Sequence, residues 1–244
     1  MEWKAMEINP EMLNKVSAQR RFVFYQQIFL WMVPRCLSRL GVASSWKFVD
    51  VLGLENESLS MVPSPVCALM LLFPLSQQHE SHRERQTSKL SGKGIDSKIY
   101  FLRQTISNSC GTIGLINTIA NNQDKLDFVE GSILKKFLNE TIHLSAEERA
   151  KQLEKNEKIR AAHDVTAEEG ECQVHEDGTN FHFITFVGVD GHLYELDGRM
   201  PFPIDQGETS NDGLLQDSAK ICRQFMERDQ GEVRFTAVAL CKAS

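Results

Sequence analysis

The chain has 244 residues, 41% hydrophobic and 25% charged, the balance of one water-soluble globular unit. Its net charge of −6 argues against a nucleic-acid partner and suits a basic one. Six cysteines stand far apart at Cys36, Cys67, Cys110, Cys172, Cys222 and Cys241, and no secretory leader is evident, which reads as reduced thiols in the cytosol rather than a disulfide framework.

In chain order, Asn9-Pro10-Glu11 predicts a helix start, with Asn as N-cap and Pro at the first helical position. Leu13 and Val16 begin an apolar stripe that Leu37 and Leu40 resume before Gly41. With residues 17–36 removed, Leu37 and Leu40 fall at 17 and 20, and the stripe becomes a regular i, i+3, i+4, i+7 face. Kept as helix, those residues rotate the phase by about 200° at roughly 100° per residue, and Leu37 faces away from Leu13. Residues 17–36 therefore read as an insertion that the fold must bulge out. A rival reading is a membrane-interface or partner-binding helix, although Phe22–Val33 is too short to span a bilayer. Its aromatic residues, Phe22, Phe24, Tyr25, Phe29 and Trp31, would be hard to bury.

Phe48–Leu52 and the almost wholly apolar Val66–Phe73 predict strands, the second covered on both faces. Gln77–Leu90 predicts a polar surface helix on which His79 and His82 read as solvated side chains rather than a metal pair. Ile99–Leu102 is β-branched and aromatic and predicts another strand. After it come Gln104 and Asn108-Ser-Cys110-Gly-Thr, then Ile113, Ile116, Ile119 and Ala120 at helical spacing. With Asn108 or Ser109 as N-cap, Cys110 lies in the first turn of a helix, where the positive dipole end favours a thiolate.

Gly131–Thr141 and Ser145–Ala162 predict helices, the second opened by the capping-box pattern Ser145-Ala-Glu-Glu148. The stretch 165–180 is polar, acidic and poor in structural signals, a long loop of the kind that carries function. Cys172, His175 and His182 lack a fourth ligand at a usual spacing, so no metal is expected. Next come two β-rich runs flanking Asp190-Gly191, a two-residue hairpin signal. That loop pairs Val189 with His192 and makes His182 and Asp197 diagonal cross-strand neighbours, roughly 7 Å apart at the backbone. A carboxylate that fixes an imidazole, which activates a thiol, is the arrangement of nucleophilic catalysis. Asp212–Arg228 predicts an amphipathic helix and Glu232–Leu240 a closing strand. The last four residues, Cys241-Lys-Ala-Ser244, fit the outline of a prenylation box, which makes Cys241 a candidate lipidation residue. The Lys at its second position favours the plainer reading of a strand end.

Taken together, Met6–Leu13, Phe48–Leu54, Gln104–Gly114, Asn180–Phe183 and Gly191–Pro203 resemble the ubiquitin carboxyl-terminal hydrolases. The resemblance covers nearly the whole chain except 17–36, and it implies a single α+β domain over 1–244. It implies a papain-like central antiparallel β-sheet surrounded by helices, with a knotted backbone, and a crossover loop at 165–180 that limits which leaving groups can pass. It implies a thiol protease without cofactor, acting on esters, thioesters or amides at the carboxyl-terminal glycine of ubiquitin. Cys110 would be the nucleophile, His182 the base, Asp197 its orienting acid and Gln104 an oxyanion donor. Ubiquitin contacts would come from Ala5, Met6, Glu7, Ile8, Asn9 and Pro10, and from Glu232, Val233, Arg234, Phe235, Thr236 and Ala237. Ubiquitin is thus the expected partner, with no nucleic acid and little or no membrane association, in the cytoplasm. Two rival readings are a weakly active protein that sequesters free ubiquitin and an interaction protein that displays the 17–36 segment.

Overall fold

The computed structural model describes Trp3 and residues 32–90, 98–169 and 181–243. Its centre is a six-stranded sheet in the order β1-β6-β2-β3-β4-β5, every pairing antiparallel. The strands are β1 (Trp46–Val51), β2 (Val66–Pro74), β3 (Phe181–Val189), β4 (His192–Leu196), β5 (Ile204–Glu208) and β6 (Thr236–Lys242). Around it lie α1 (32–40), α2 (Asn56–Leu59), α3 (Gln77–Leu90), α4 (Cys110–Ala120), α5 (Ile133–Thr141), α6 (Ala146–Glu154), α7 (Glu157–Glu169) and α8 (Leu214–Arg228). This is the α+β class that the sequence implies.

All nine residues of β2 are buried because both faces of the sheet are covered. Met70 and Leu72 join the core that contains α1, α4 and α5, while Leu69, Leu71 and Phe73 join the core under α8. The β3–β4 register is the one the Asp-Gly loop dictates, with Val189 opposite His192 and Thr185 opposite Leu196. Asp190 and Gly191 both take the positive φ, 49° and 81°, that such a tight loop requires.

Five expectations need correction. The 17–36 segment does not bulge out at its end: 32–36 belong to α1, and Met32, Val33 and Cys36 are buried. The reason is phase. Val33 and Cys36 stand where Leu13 and Val16 would have stood, so with Leu37 and Leu40 they restore the i, i+3, i+4, i+7 face. Residues 17–31, like the Asn9-Pro10 helix start, lie outside the described residues. Second, Ser145–Ala162 is two helices, α6 and α7, because Asn156 caps a new start by accepting from the Ile159 N–H at 3.0 Å. Third, residues 165–169 of the expected loop are the last turn of α7, and 170–180 lie outside the described residues. Fourth, His79 is not solvated: it is 5% exposed, against the Phe73 and Phe225 rings.

Fifth, Ile99–Leu102 is buried but forms no strand. Asn117 of α4 and Asn121, which caps its C-terminal end, take the place of a neighbouring strand. Asn121 Oδ1 accepts from the Tyr100 N–H at 2.9 Å and its Nδ2 donates to the Tyr100 carbonyl at 2.8 Å. Asn117 serves Leu102 in the same way, at 2.8 and 3.3 Å. A buried backbone must find partners, and a carboxamide offers one donor and one acceptor on a single planar group.

Candidate active site

All eleven residues of helix α4 are buried, Thr112, Asn117 and Thr118 included, so it is enclosed by core. It lies close against the sheet. A Cβ on Gly114 would meet Met70 Cε at 2.8 Å and Thr185 Oγ1 at 3.3 Å, so glycine sets the approach. Cys110 opens this helix and is 7% exposed. The loop before it is anchored by Trp3, whose N–H donates to the Ser107 carbonyl and whose carbonyl accepts from Asn108 Nδ2. Neither expected N-cap side chain caps the helix. Asn108 sits at φ 62° and turns to Trp3, and the Ser109 hydroxyl donates to the Ile106 carbonyl.

His182, on β3, lies on the sheet face opposite Phe183 and Thr185, which face α4. Its Nε2 is 2.7 Å from Asp197 Oδ1, and both side chains are almost fully buried. That leaves Nδ1 as the ring nitrogen that can exchange a proton with substrate or thiol. Burial pushes the Asp197 carboxyl up, but the facing His182, its hydrogen bond, Arg83 and the Arg199 N–H outweigh it and bring the carboxyl down to about 2. Asp197 is thus ionised at any pH where the imidazole needs it.

Arg83 and helix α3 carry no functional signal in the sequence reading. Arg83 Nη2 reaches Asp197 Oδ2 at 2.7 Å, so the carboxylate is held from both sides, by imidazole and guanidinium. The same helix face ties down the turn after the acid. Glu80 pairs with Arg199 Nη1 at 2.8 Å, and the Thr87 hydroxyl contacts Met200 Sδ at 3.7 Å. The signal was available in the i, i+3, i+7 spacing of Glu80, Arg83 and Thr87, but a polar stripe on a polar helix is indistinguishable from a solvated face without its partner.

Gln104 lies against the acid's turn. Its N–H donates to the Gly198 carbonyl at 2.7 Å, and a Cβ on Gly198 would meet Ile113 Cγ2 at 2.9 Å and Gln104 Cβ at 3.0 Å. Glycine at 198 therefore lets the Asp197 turn pack onto both α4 and the Gln104 segment. Gln104 Nε2 donates one hydrogen to the Ile106 carbonyl at 3.2 Å and has a second to offer. Cys110 and Gln104 come with α4 and the segment before it, His182 and Asp197 with the β3–β4 hairpin, and the bond from the Gln104 N–H to the Gly198 carbonyl joins the two groups.

A sequence model of ubiquitin carboxyl-terminal hydrolase, family 1, matches residues 32–227. The chain belongs to that family. Isozyme L1 of the ubiquitin carboxyl-terminal hydrolases is 61% identical over the full length of both proteins in Sus scrofa and in Homo sapiens, and 54% identical in Bos taurus. Among solved structures, the Trichinella spiralis UCH37 catalytic domain bound to ubiquitin vinyl methyl ester shares the fold, with TM-score 0.70 at 23% identity over all of this chain and 97% of that one. A second Trichinella spiralis UCH37 structure, also bound to ubiquitin vinyl methyl ester, gives TM-score 0.66 at 25% identity, covering 89% of this chain and 79% of that one. The match to the ubiquitin carboxyl-terminal hydrolase family begins at residue 32, where α1 begins in the described structure, so the end of the apparent insertion is part of the family's aligned region.

Two further expectations concern the surface of this family member. Residues Glu232–Ala237 lead into β6. The Glu232 carboxylate gathers the Val233 and Arg234 N–H groups and the Arg234 guanidinium, leaving Val233 72% exposed. Val233 and Phe235 line an apolar groove of about 450 Å³ together with Leu52, Leu54, Leu71 and Met226. Ala5–Pro10 lie outside the described residues. Cys241 is within β6 rather than beyond it, paired with Lys47 and Val66, and its thiol is buried. No helix among the described residues is long and apolar enough to cross a membrane.

Proposed function

We propose that the chain is a deubiquitinating thiol hydrolase that cleaves esters, thioesters or amides at the carboxyl-terminal glycine of ubiquitin. The observation that carries this reading is the buried His182–Asp197 pair at 2.7 Å, in a member of this family whose helix α4 opens on a cysteine. Cys110 attacks the glycine carbonyl after its thiol proton passes to His182 Nδ1. The imidazolium then returns that proton to the leaving group, and a thioester forms. Water, deprotonated by the same imidazole, hydrolyses the thioester and frees the carboxylate. Asp197 holds the tautomer with Nδ1 available and stabilises the imidazolium without being protonated itself. The tetrahedral oxyanion accepts from the second N–H of Gln104 Nε2 and from the Cys110 N–H, a type of contact in which one donor is worth about 3 kcal/mol of barrier.

The groove at Val233 and Phe235 is the described part of the proposed ubiquitin surface, with Ala5–Pro10 as its other part. An exposed apolar groove suits a macromolecular partner. The chain acts as one domain over 1–244 and works in the cytoplasm.

Incubation with ubiquitin vinyl methyl ester, read by intact mass and peptide mapping, tests this. One adduct per chain on Cys110, absent in Cys110→Ser, is the expected result. An adduct elsewhere, or none while ubiquitin still binds, would overturn Cys110 as nucleophile and leave a ubiquitin-sequestering protein.

A further inference from the structure

Helix α3 presents two unlike faces. Glu80, Arg83 and Thr87 hold the catalytic turn. At about 100° per residue, Gln78, Ser81, His82 and Arg85 lie on the opposite side. There they line, with Gln77 and with Arg228 from the end of α8, an open cleft of about 440 Å³.

The cleft is cationic. The ion pairs of α3 are Arg83 with Glu80 and Asp197, and Glu80 with Arg199; among the described residues, no carboxylate pairs with His82, Arg85 or Arg228. Burial disfavours protonation of His82, and Arg228, Arg85 and Lys89 add to the effect. The carboxyl that acts on Arg228 is Glu195, whose own ionisation is pushed up to about 7 by burial and by Asp197. Like charges gathered on a chain of net charge −6 are a cost that folding does not require.

The groups are also fixed in place. Arg228 stacks its guanidinium on the Phe225 ring, 4.3 Å from its centre, and Arg85 Nε donates to the Ser81 carbonyl at 3.1 Å. Gln77 and Gln78 open α3, so its positive end adds to the field.

We propose that this cleft binds a phosphate compound carrying two or more negative charges, gripped by the forks of Arg85 and Arg228 with the Ser81 hydroxyl and the opening glutamines as further donors. Two guanidinium forks suit phosphate oxygens better than a single carboxylate does. None of the six lining residues is apolar, so the site takes the phosphorylated head of its ligand and offers nothing to a base or an acyl chain. Free polyphosphates and phosphoinositide headgroups share this chemistry.

The test is a titration of the full chain with inorganic pyrophosphate at constant ionic strength, following the His82 Cε1–H resonance, assigned by its loss in His82→Gln. The resonance should move saturably with a midpoint of about 1 mM or below, corresponding to roughly 4 kcal/mol, and the midpoint should weaken tenfold or more in Arg85→Glu. Because pyrophosphate offsets the neighbouring cations, the His82 pKa should rise on binding. Absence of a saturable shift up to about 10 mM, or an equal midpoint in a folded Arg85→Glu chain, would overturn the proposal. Phosphatidylcholine vesicles with and without phosphatidylinositol bisphosphate, run beside soluble inositol trisphosphate, separate the sources. Retention by the phosphoinositide vesicles assigns the membrane headgroup; binding of the soluble compound alone assigns a free ligand. Turnover on a ubiquitin ester should stay within about twofold in Arg85→Glu, whose side chain touches no group at the active site.

Discussion

Helices α4 and α3 hold the two halves of the site by opposite means. Helix α4, which presents Cys110, is buried along its whole length and fixed by close packing, with Gly114 pressed onto Met70 and Thr185. Helix α3 is mostly exposed and buries only His79 and Arg83, yet it fixes Asp197. One half of the site is set by shape and tolerates little change of volume. The other is set by a few charges, and a single substitution can release it.

The largest effects should come from the chemical groups themselves. Cys110→Ser should lower hydrolysis by about 10⁴-fold or more with ubiquitin binding retained, measured with a fluorogenic ubiquitin amide and by titration calorimetry. Asp197→Asn should cost about 10⁴-fold in kcat, since the neutral amide no longer dictates the imidazole tautomer; equal kcat in the two chains would remove Asp197 from the mechanism.

Next comes the contrast between the helices. Arg83→Ala strands a buried carboxylate and should destabilise the chain by about 3 kcal/mol in urea titration, with Arg83→Lys recovering part of it. Removing a charge from the exposed side of α3, as in Glu84→Gln, should change stability by less than about 0.5 kcal/mol. If the two substitutions cost the same, α3 does not hold the acid by point contacts. On the other helix, Asn117→Ala leaves the Leu102 N–H and carbonyl buried and unpaired and should cost about 2–3 kcal/mol.

A further contrast is a matter of pH. Asp197 and Glu195 stand two residues apart on and beyond β4 but shift in opposite directions. Asp197 is drawn below its ordinary value, so its contribution to stability is full above about pH 4 and fades as pH falls toward 2. Burial and the nearby Asp197 raise Glu195 to about 7, so the native state binds its proton more tightly than the unfolded chain does. Stability therefore falls as pH rises from about 4.5 to 7. Glu195→Gln should flatten that decline while keeping the Gln206 contact, which is 2.6 Å in the parent chain. An unchanged pH profile of unfolding in Glu195→Gln would assign the decline to another group.

The hairpin and its His182–Asp197 pair were legible because an Asp-Gly loop fixes register and register fixes neighbours. Helix α4 was legible from its apolar period. The strand expected at Ile99–Leu102 was read from residue types that favour burial and extension, and the burial holds. What residue types cannot say is who supplies the hydrogen bonds, and here Asn117 and Asn121 do. Two amides four apart, at the end of a largely apolar helix and at its cap, were the overlooked sign. Arg83 was missed for the complementary reason: its partner lies 114 positions away, and a sequence period carries no information about partners at that range.

The asparagine pairing also bears on the order in which the site comes together. It links residues only 15 and 21 positions apart, and the His182–Asp197 contact spans 15. Each half can therefore close early, at the small entropic cost of a short loop. The bond from the Gln104 N–H to the Gly198 carbonyl joins them across 94 positions. In a refolding experiment, native-like protection of the Leu102 amide should precede catalytic activity, because the halves mature separately and chemistry waits on the seam.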